Sequence, residues 1–181
     1  MILSICIPSY NRFDELRNLL NSISEAKSSE FNVFVIDNGS NENIFSLQKY
    51  DNRFNFIKRD KKVPVGTSLN YGDAKYVMLC LDKDFIVGEC LDKFINIIKN
   101  ENISCGYCQL NSKLENGRII KRSGPIDELI YRCGHPSGYF FKKEIIELAT
   151  QKLVPYDTTR PLYNNPFIPD LIYAYGVITG N

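Results

Sequence analysis

The stretch YVMLCLDKDFI, Tyr76 to Ile86, runs through six apolar residues in succession and then meets two carboxylates one residue apart, Asp82 and Asp84, with Lys83 between them. A run of that length and character reads as a strand buried on both faces. The acids mark the point at which it leaves the core. Working back toward the N-terminus, three more short runs of the same kind appear: Leu3 to Ile7, Val33 to Ile36 and Phe54 to Ile57. Between the first two, Leu16, Leu19, Leu20 and Ile23 recur at i, i+3, i+4 and i+7, which predicts a helix, and Asp14 stands ahead of it as an N-cap or first-turn acid. A second helix is expected from about Leu91 to Ile98. Strands of nearly uniform apolar character alternating with helices predict a parallel sheet covered on both faces.

The second half changes style. Ile103 to Leu110 reads as a strand, and Asn116-Gly117 is a tight-turn signal before Ile119 and Ile120. Tyr139 to Phe141 reads as a strand leading into a helix near Lys142 to Ala149. A Pro-, Tyr- and Asn-rich stretch then runs from Val154 to Pro169. The expected architecture is one α/β domain over residues 1–181, with a Rossmann-like nucleotide-sized half (1–86) and a mixed half (87–181).

Composition bounds the function. At 181 residues and 20.8 kDa, with 44% apolar and 24% charged residues, the chain suits one core-forming domain. A formal net charge of +1 gives no global attraction to nucleic acid or to an acidic membrane. There is no apolar run of about 18 residues to span a bilayer. The N-terminus, MILSICIPSYNRFDE, reads as a strand and not as a signal peptide. A cytosolic setting is expected, in which the six cysteines are reduced thiols. Cys105 and Cys108 form a C-x-x-C, but there is no second pair at zinc-ligand spacing and one histidine in the whole chain, so they read as small hydrophobes.

In open α/β sheets, ligands bind beyond the carboxyl ends of the strands. The first strand ends in Pro8-Ser9-Tyr10-Asn11-Arg12, the second in Asp37-Asn38-Gly39-Ser40 and the fourth in Asp82-Lys83-Asp84. The chain has no G-x-G and no G-x-x-x-x-G-K-[ST], which removes the dinucleotide fingerprint and the phosphate loop. Two oxygen-donor side chains past a strand end suit a hard divalent cation, Mg²⁺ or Mn²⁺, able to neutralise a diphosphate leaving group. The plainer reading makes Asp82 a turn cap and leaves Lys83 and Asp84 in solvent.

IPSYNR (7–12), VIDNGS (35–40) and YVMLCLDKDF (76–85), taken in this order and spacing, resemble the family 2 glycosyltransferases, and the similarity covers most of the chain from Leu3 onward. The resemblance implies a GT-A fold. It puts Pro8 and Tyr10 in the base pocket, with Ser9, Asn11 and Arg12 nearby and Gly66 at the family's glycine. Asp37 would meet the base or ribose, Asp82 the ribose or the metal, and Asp84 the metal. Lys83 stands where the family often has Asp or a small residue, and could pair with a phosphate. Gly134-His135-Pro136-Ser137-Gly138 resembles a loop that shapes the sugar and acceptor pocket. Asp170, before the apolar run Leu171 to Tyr175, takes the place of the general base, with Pro169 where a second acid is common and Asp157 in reserve.

The implied activity is an inverting transfer from a nucleotide-diphosphate sugar, a UDP-sugar first, to a hydroxyl of a glycan or lipid-linked glycan in surface-polysaccharide assembly. Such an enzyme would sit in the cytoplasm, in peripheral contact with the inner face of the membrane when its acceptor is lipid-linked. Two rivals are a non-catalytic or truncated relative serving as a scaffold, and a nucleotidyltransferase. The latter would carry a glycine- and basic-rich loop after the first strand, where IPSYNRFDE offers one arginine and no glycine.

Overall fold

The computed structural model describes residues 1–59, 65–108, 112–113, 119–120 and 137–153. In chain order these form β1 (Leu3–Ser9), α1 (Phe13–Ser24), β2 (Phe31–Asp37), a 3-10 helix (Ile44–Tyr50) and β3 (Phe54–Lys58). A second 3-10 helix (Val65–Tyr71), β4 (Tyr76–Leu79), α2 (Gly88–Asn100) and β5 (Cys105–Tyr107) follow. Last come β6 (Ser112–Lys113), β7 (Ile119–Ile120), β8 (Tyr139–Lys142) and α3 (Lys143–Leu153). The expected strand over 103–110 is shorter than its apolar run, and the turn at Asn116-Gly117 lies outside the described residues, between the paired β6 and β7.

The main sheet has the order β3-β2-β1-β4-β8-β5. β1 pairs in parallel with β2 and with β4, and β2 with β3. β8 then enters antiparallel between β4 and β5. The sheet is therefore parallel on one side and mixed on the other, and the two sequence halves share it. Because the chain winds outward through β2 and β3 and returns to β4 on the other side of β1, the strand order reverses at the β1/β4 crevice. Such a reversal is where α/β sheets bind ligands.

Both faces of the sheet are covered, which is why the strands are apolar at consecutive positions. On one face Leu3, Ile5 and Ile7 of β1 pack with Val33, Val35 and Met78 under Leu16, Leu19 and Ile23 of α1 and Leu91, Ile95 and Ile98 of α2. On the other, Cys6, Ile36, Val77 and Leu79 pack against Leu69 of the second 3-10 helix and Ile145, Ile146 and Ala149 of α3. Each fully buried Leu or Ile contributes roughly 1.5–3 kcal/mol. The two helices of the first face meet where α1 ends and α2 begins. A Cβ on Gly88 would lie 2.7 Å from the backbone of Glu25 and Ala26, so only glycine permits that approach.

Polar groups lock the ends of these elements. Ser4 Oγ donates to Asn32 Oδ1 (2.8 Å) and accepts the N–H groups of Asp73 and Ala74 (3.1 and 3.0 Å), while Asn32 Nδ2 donates to Asp73 Oδ1 (2.8 Å). This pins the loop that delivers the chain into β4. Arg53 does similar work on the opposite flank. Its guanidinium lies 4.3 Å from the centre of the Phe31 ring and pairs with Asp51 at 2.6 Å. It also donates to the carbonyls of Ser24, Ala26 and Ser28, closing the C-terminal end of α1. Asp14 proves to be a first-turn acid, since residue 12 occupies the cap position.

Arg53→Ala strands a half-buried carboxylate and several carbonyls at once, and should cost about 3 kcal/mol in urea unfolding, with Arg53→Lys recovering only part. Partial burial pushes the Asp51 carboxyl pKa up, but hydrogen bonds and charge from Arg53 outweigh it, and the net shift is downward. A carboxyl whose folded pKa lies below its unfolded value of about 3.9 stabilises the fold above that pH, and the contribution vanishes as pH falls through the folded value. Urea midpoints of the wild type and Asp51→Asn should therefore differ at pH 6 and converge in strong acid.

Candidate active site

The register brings the predicted strand ends to one edge. Ser9, the last residue of β1, pairs with Asp37, the last of β2. Pro8 is buried one step inside, opposite Ile36, and the loops beyond are clasped together. Asn11 adopts a left-handed backbone (φ 51°), which Asn tolerates better than most residues. Its N–H donates to Ser40 Oγ (2.9 Å) and its Oδ1 accepts the Asn41 N–H (2.8 Å). Asp37 Oδ1 accepts the Ser40 N–H at 2.8 Å, so one carboxylate oxygen shapes its own turn. Tyr10 projects from the same edge, 39% exposed. Asn38 Oδ1, beside Asp37, is a buried oxygen without a hydrogen-bond partner.

Across the β1/β4 crevice, Arg12 Nη1 donates to Asp82 Oδ1 at 3.1 Å. Asp82 is only 4% exposed. Burial raises its carboxyl pKa, opposed by Arg12, by the Tyr10 N–H and by the nearby Ser9 hydroxyl, which favours the charged form from an orientation short of a hydrogen bond. Burial prevails, so the net shift is upward, and the desolvated acid is held by a cation from the neighbouring strand end. Lys83 points into solvent beside it.

Asp84 is tethered differently. After Asp82 the chain turns, with the Asp84 N–H donating to Leu81 C=O (3.1 Å), and the Asp84 carboxylate accepts a short hydrogen bond from Ser137 Oγ. The same Ser137 oxygen accepts the Leu81 N–H at 2.7 Å. Ser137 is fixed in turn by Gly138, whose N–H donates to Leu79 C=O and whose C=O accepts the Cys108 N–H. Gly138 has φ 99°, and a Cβ there would lie 2.4 Å from the Cys108 carbonyl oxygen, so this bridge requires glycine. The two acids of the D-x-D therefore part company, one toward β1 and one toward β8.

The structure thus groups Ser9, Tyr10, Asn11, Arg12, Asp37, Asp82, Lys83 and Asp84 at one edge, and adds Ser137 and Gly138 beneath Asp84. Gly66 is buried at the start of the second 3-10 helix. His135, Asp157, Pro169 and Asp170 lie outside the described residues. One residue escaped the sequence reading. Arg59, just past β3, donates its N–H to Asp37 C=O, bonds Tyr71 Oη (2.7 Å) and Thr67 Oγ1 (3.0 Å), and lies 4.7 Å from the centre of the Tyr71 ring. The strand-end rule, applied to the third strand as well, would have found it.

Among the described residues no three His, Cys, Asp or Glu side chains cluster tightly enough to cage a metal. The donor set nevertheless fits a hard cation that arrives with its ligand. Mg²⁺ is commonly held by one or two carboxylates, substrate phosphates and water. No helix among these residues is long and apolar enough to cross a membrane.

This architecture has relatives. The model of glycosyl transferase family 2 matches residues 4–162. An uncharacterized glycosyltransferase of Haemophilus influenzae is 28% identical over 131 residues, covering 70% of this chain and 45% of its own length. The crystal structure of S. aureus TarS 1-349 superposes with a TM-score of 0.73 at 18% identity, covering 97% of this chain and 55% of TarS 1-349. A Pyrobaculum calidifontis mannosyltransferase in complex with GDP-Man and Mn²⁺ gives 0.60 at 14% identity, over 81% of this chain and 46% of that one. The chain thus spans about half the length of the proteins it resembles. It belongs to glycosyl transferase family 2 and has the GT-A fold.

Proposed function

We propose that the chain is the sugar-transferring domain of an inverting glycosyltransferase, with 1–86 binding a nucleotide-diphosphate sugar and 87–181 the acceptor. The carrying observation is the crevice itself: Asp82 and Asp84 stand at the strand-order reversal, Asp82 held by Arg12 from the loop after β1 and Asp84 by Ser137 from the turn before β8. TarS structures holding UDP and UDP-GlcNAc support a UDP-sugar as donor, although the mannosyltransferase relative holds GDP-Man.

In this reading Tyr10 and Asp37 face the nucleoside, with Pro8, Ser9, Asn11 and Gly66 shaping its pocket. Arg12 and Lys83 face the diphosphate, and Arg59 supplies a further cation beside Asp37. Asp84, aimed by Ser137, and Asp82 would hold Mn²⁺ or Mg²⁺, which when bound neutralises charge on the departing diphosphate. The acceptor hydroxyl attacks the anomeric carbon as the bond to the diphosphate breaks, and a carboxylate takes the proton. Asp170 is the candidate for that base, and His135 with Ser137 and Gly138 would border the sugar and acceptor. A glycan or lipid-linked glycan in surface-polysaccharide assembly is the acceptor class, reached from the cytoplasmic side of the membrane.

Thermal-shift titration with UDP, GDP, CDP and dTDP, each with and without Mn²⁺, tests the donor site. A nucleotide at about 100 times its Kd should raise Tm by roughly 5–10 °C. The rise should depend on Mn²⁺ and be lost in Asp84→Asn. No response from folded protein to any nucleotide would sink the reading. Ser137→Ala should leave metal-free nucleotide binding within about twofold while weakening the Mn²⁺-dependent part about tenfold, since it frees Asp84 to wander without removing a charge. Equal loss of both would make Ser137 merely structural.

A further inference from the structure

The two acids of the D-x-D are held by partners of different kinds. Ser137 sets a hydroxyl, which carries no charge, against Asp84. Arg12 sets a full positive charge against Asp82. A carboxylate that already carries a guanidinium receives a divalent cation on poor terms. The two cations repel at contact distance, and solvent screens little of that repulsion around a buried acid.

The Arg12–Asp82 contact is also built to open. It runs from one nitrogen to one oxygen at 3.1 Å. The strongest arginine–carboxylate pairs use two parallel bonds of about 2.7–2.9 Å. The Asp82 side chain is 6% exposed and that of Arg12 46%, so the arginine is the partner with room to leave. Its backbone need not follow. The Arg12 carbonyl accepts the Leu16 N–H at 3.0 Å to open α1, its side chain makes no cap bond, and Asn11 before it is clasped to Ser40 and Asn41. The guanidinium can therefore swing while the helix and the loop stand still. Its planar fork suits a phosphate as well as a carboxylate.

We propose that Arg12 and Asp82 guard each other: Arg12 withholds Asp82 from a divalent cation that arrives alone, and yields it when a diphosphate takes the guanidinium. Metal and nucleotide then enter the crevice as one event, each raising its affinity for the other. The proposal rests on the donor-site reading above and adds an order to it.

Mn²⁺ and UDP chelate each other in solution, so the test reads each alone on the 181-residue protein. Mn²⁺ binding is followed by electron paramagnetic resonance, and UDP binding by calorimetry in EDTA. Arg12→Met keeps the length and drops the charge, and Asp82→Asn keeps the shape. Arg12→Met should bind Mn²⁺ about tenfold more tightly than the wild type and metal-free UDP about tenfold more weakly. Lys83→Met removes an exposed cation next to the same acid, and should tighten Mn²⁺ no more than about twofold. Asp82→Asn should tighten metal-free UDP about tenfold when Arg12 is present, and no more than about twofold in the Arg12→Met background.

Equal effects of Asp82→Asn in both backgrounds overturn the proposal. So does Mn²⁺ binding that Arg12→Met leaves unchanged, or that Lys83→Met tightens just as much, since Arg12 would then act only through the general field. If the wild type binds UDP with Mn²⁺ and the cycle is additive, the guarding role alone falls. If none of these proteins binds a nucleotide with or without Mn²⁺, the donor-site reading falls, and the guarding role with it.

Discussion

Strand β1 is hydrogen-bonded on both sides, to β2 and to β4, and its residues are buried from end to end. That constraint positions everything at the crevice. With Ser9 registered opposite Asp37, and Cys6 opposite Leu79, the loops that follow emerge side by side at one edge. Arg12 can then span to Asp82, and Asn11 can clasp Ser40 and Asn41. The cost of desolvating Asp82 is offset in part by the Arg12 charge and by local hydrogen-bond donors. A slip of either ladder would bring that acid to the edge without its cation.

The mixed side of the sheet solves a different problem. Asp84 follows β4 by five residues and needs an anchor that β1 does not supply. The anchor comes from residues far along the chain, because β8 runs back against β4 and Ser137 and Gly138 form the turn that leads into it. The acid loop after β4 and the segment that leads into β8 therefore meet through one hydroxyl. Small changes in the β8 approach are transmitted to the acid loop by two hydrogen bonds.

Much of this was legible in the sequence, and the reason is periodicity. Leu16, Leu19, Leu20 and Ile23 announce α1, and consecutive apolar residues in β1, β2 and β4 announce burial on both faces. The strand-end rule located Asn11, Arg12, Asp37, Asp82 and Asp84, because polar residues that directly follow a buried strand must emerge at its carboxyl edge. What stayed hidden depends on partners distant in the chain. Nothing local marks Arg53 as the residue that closes α1, or Ser4, Asn32 and Asp73 as one network. Ser137 was placed near the acceptor, yet its role in aiming Asp84 appears only when β8 is seen between β4 and β5. The Cys105–Cys108 spacing reads in the sequence as two small hydrophobes, and in the sheet Cys105 is buried while Cys108 packs against the core on the α1/α2 face.

The way β8 fills the sheet bears on how the chain can be divided. A fragment ending near residue 86 would hold β1 to β4 but lack the strand that covers β4, whose four residues are all buried in the intact sheet. Tyr76, Val77, Met78 and Leu79 would then present an open, apolar edge, the kind of template on which copies of a protein stack into aggregates. Solubility of the nucleotide-sized half is thus conferred by a strand encoded more than fifty residues after it.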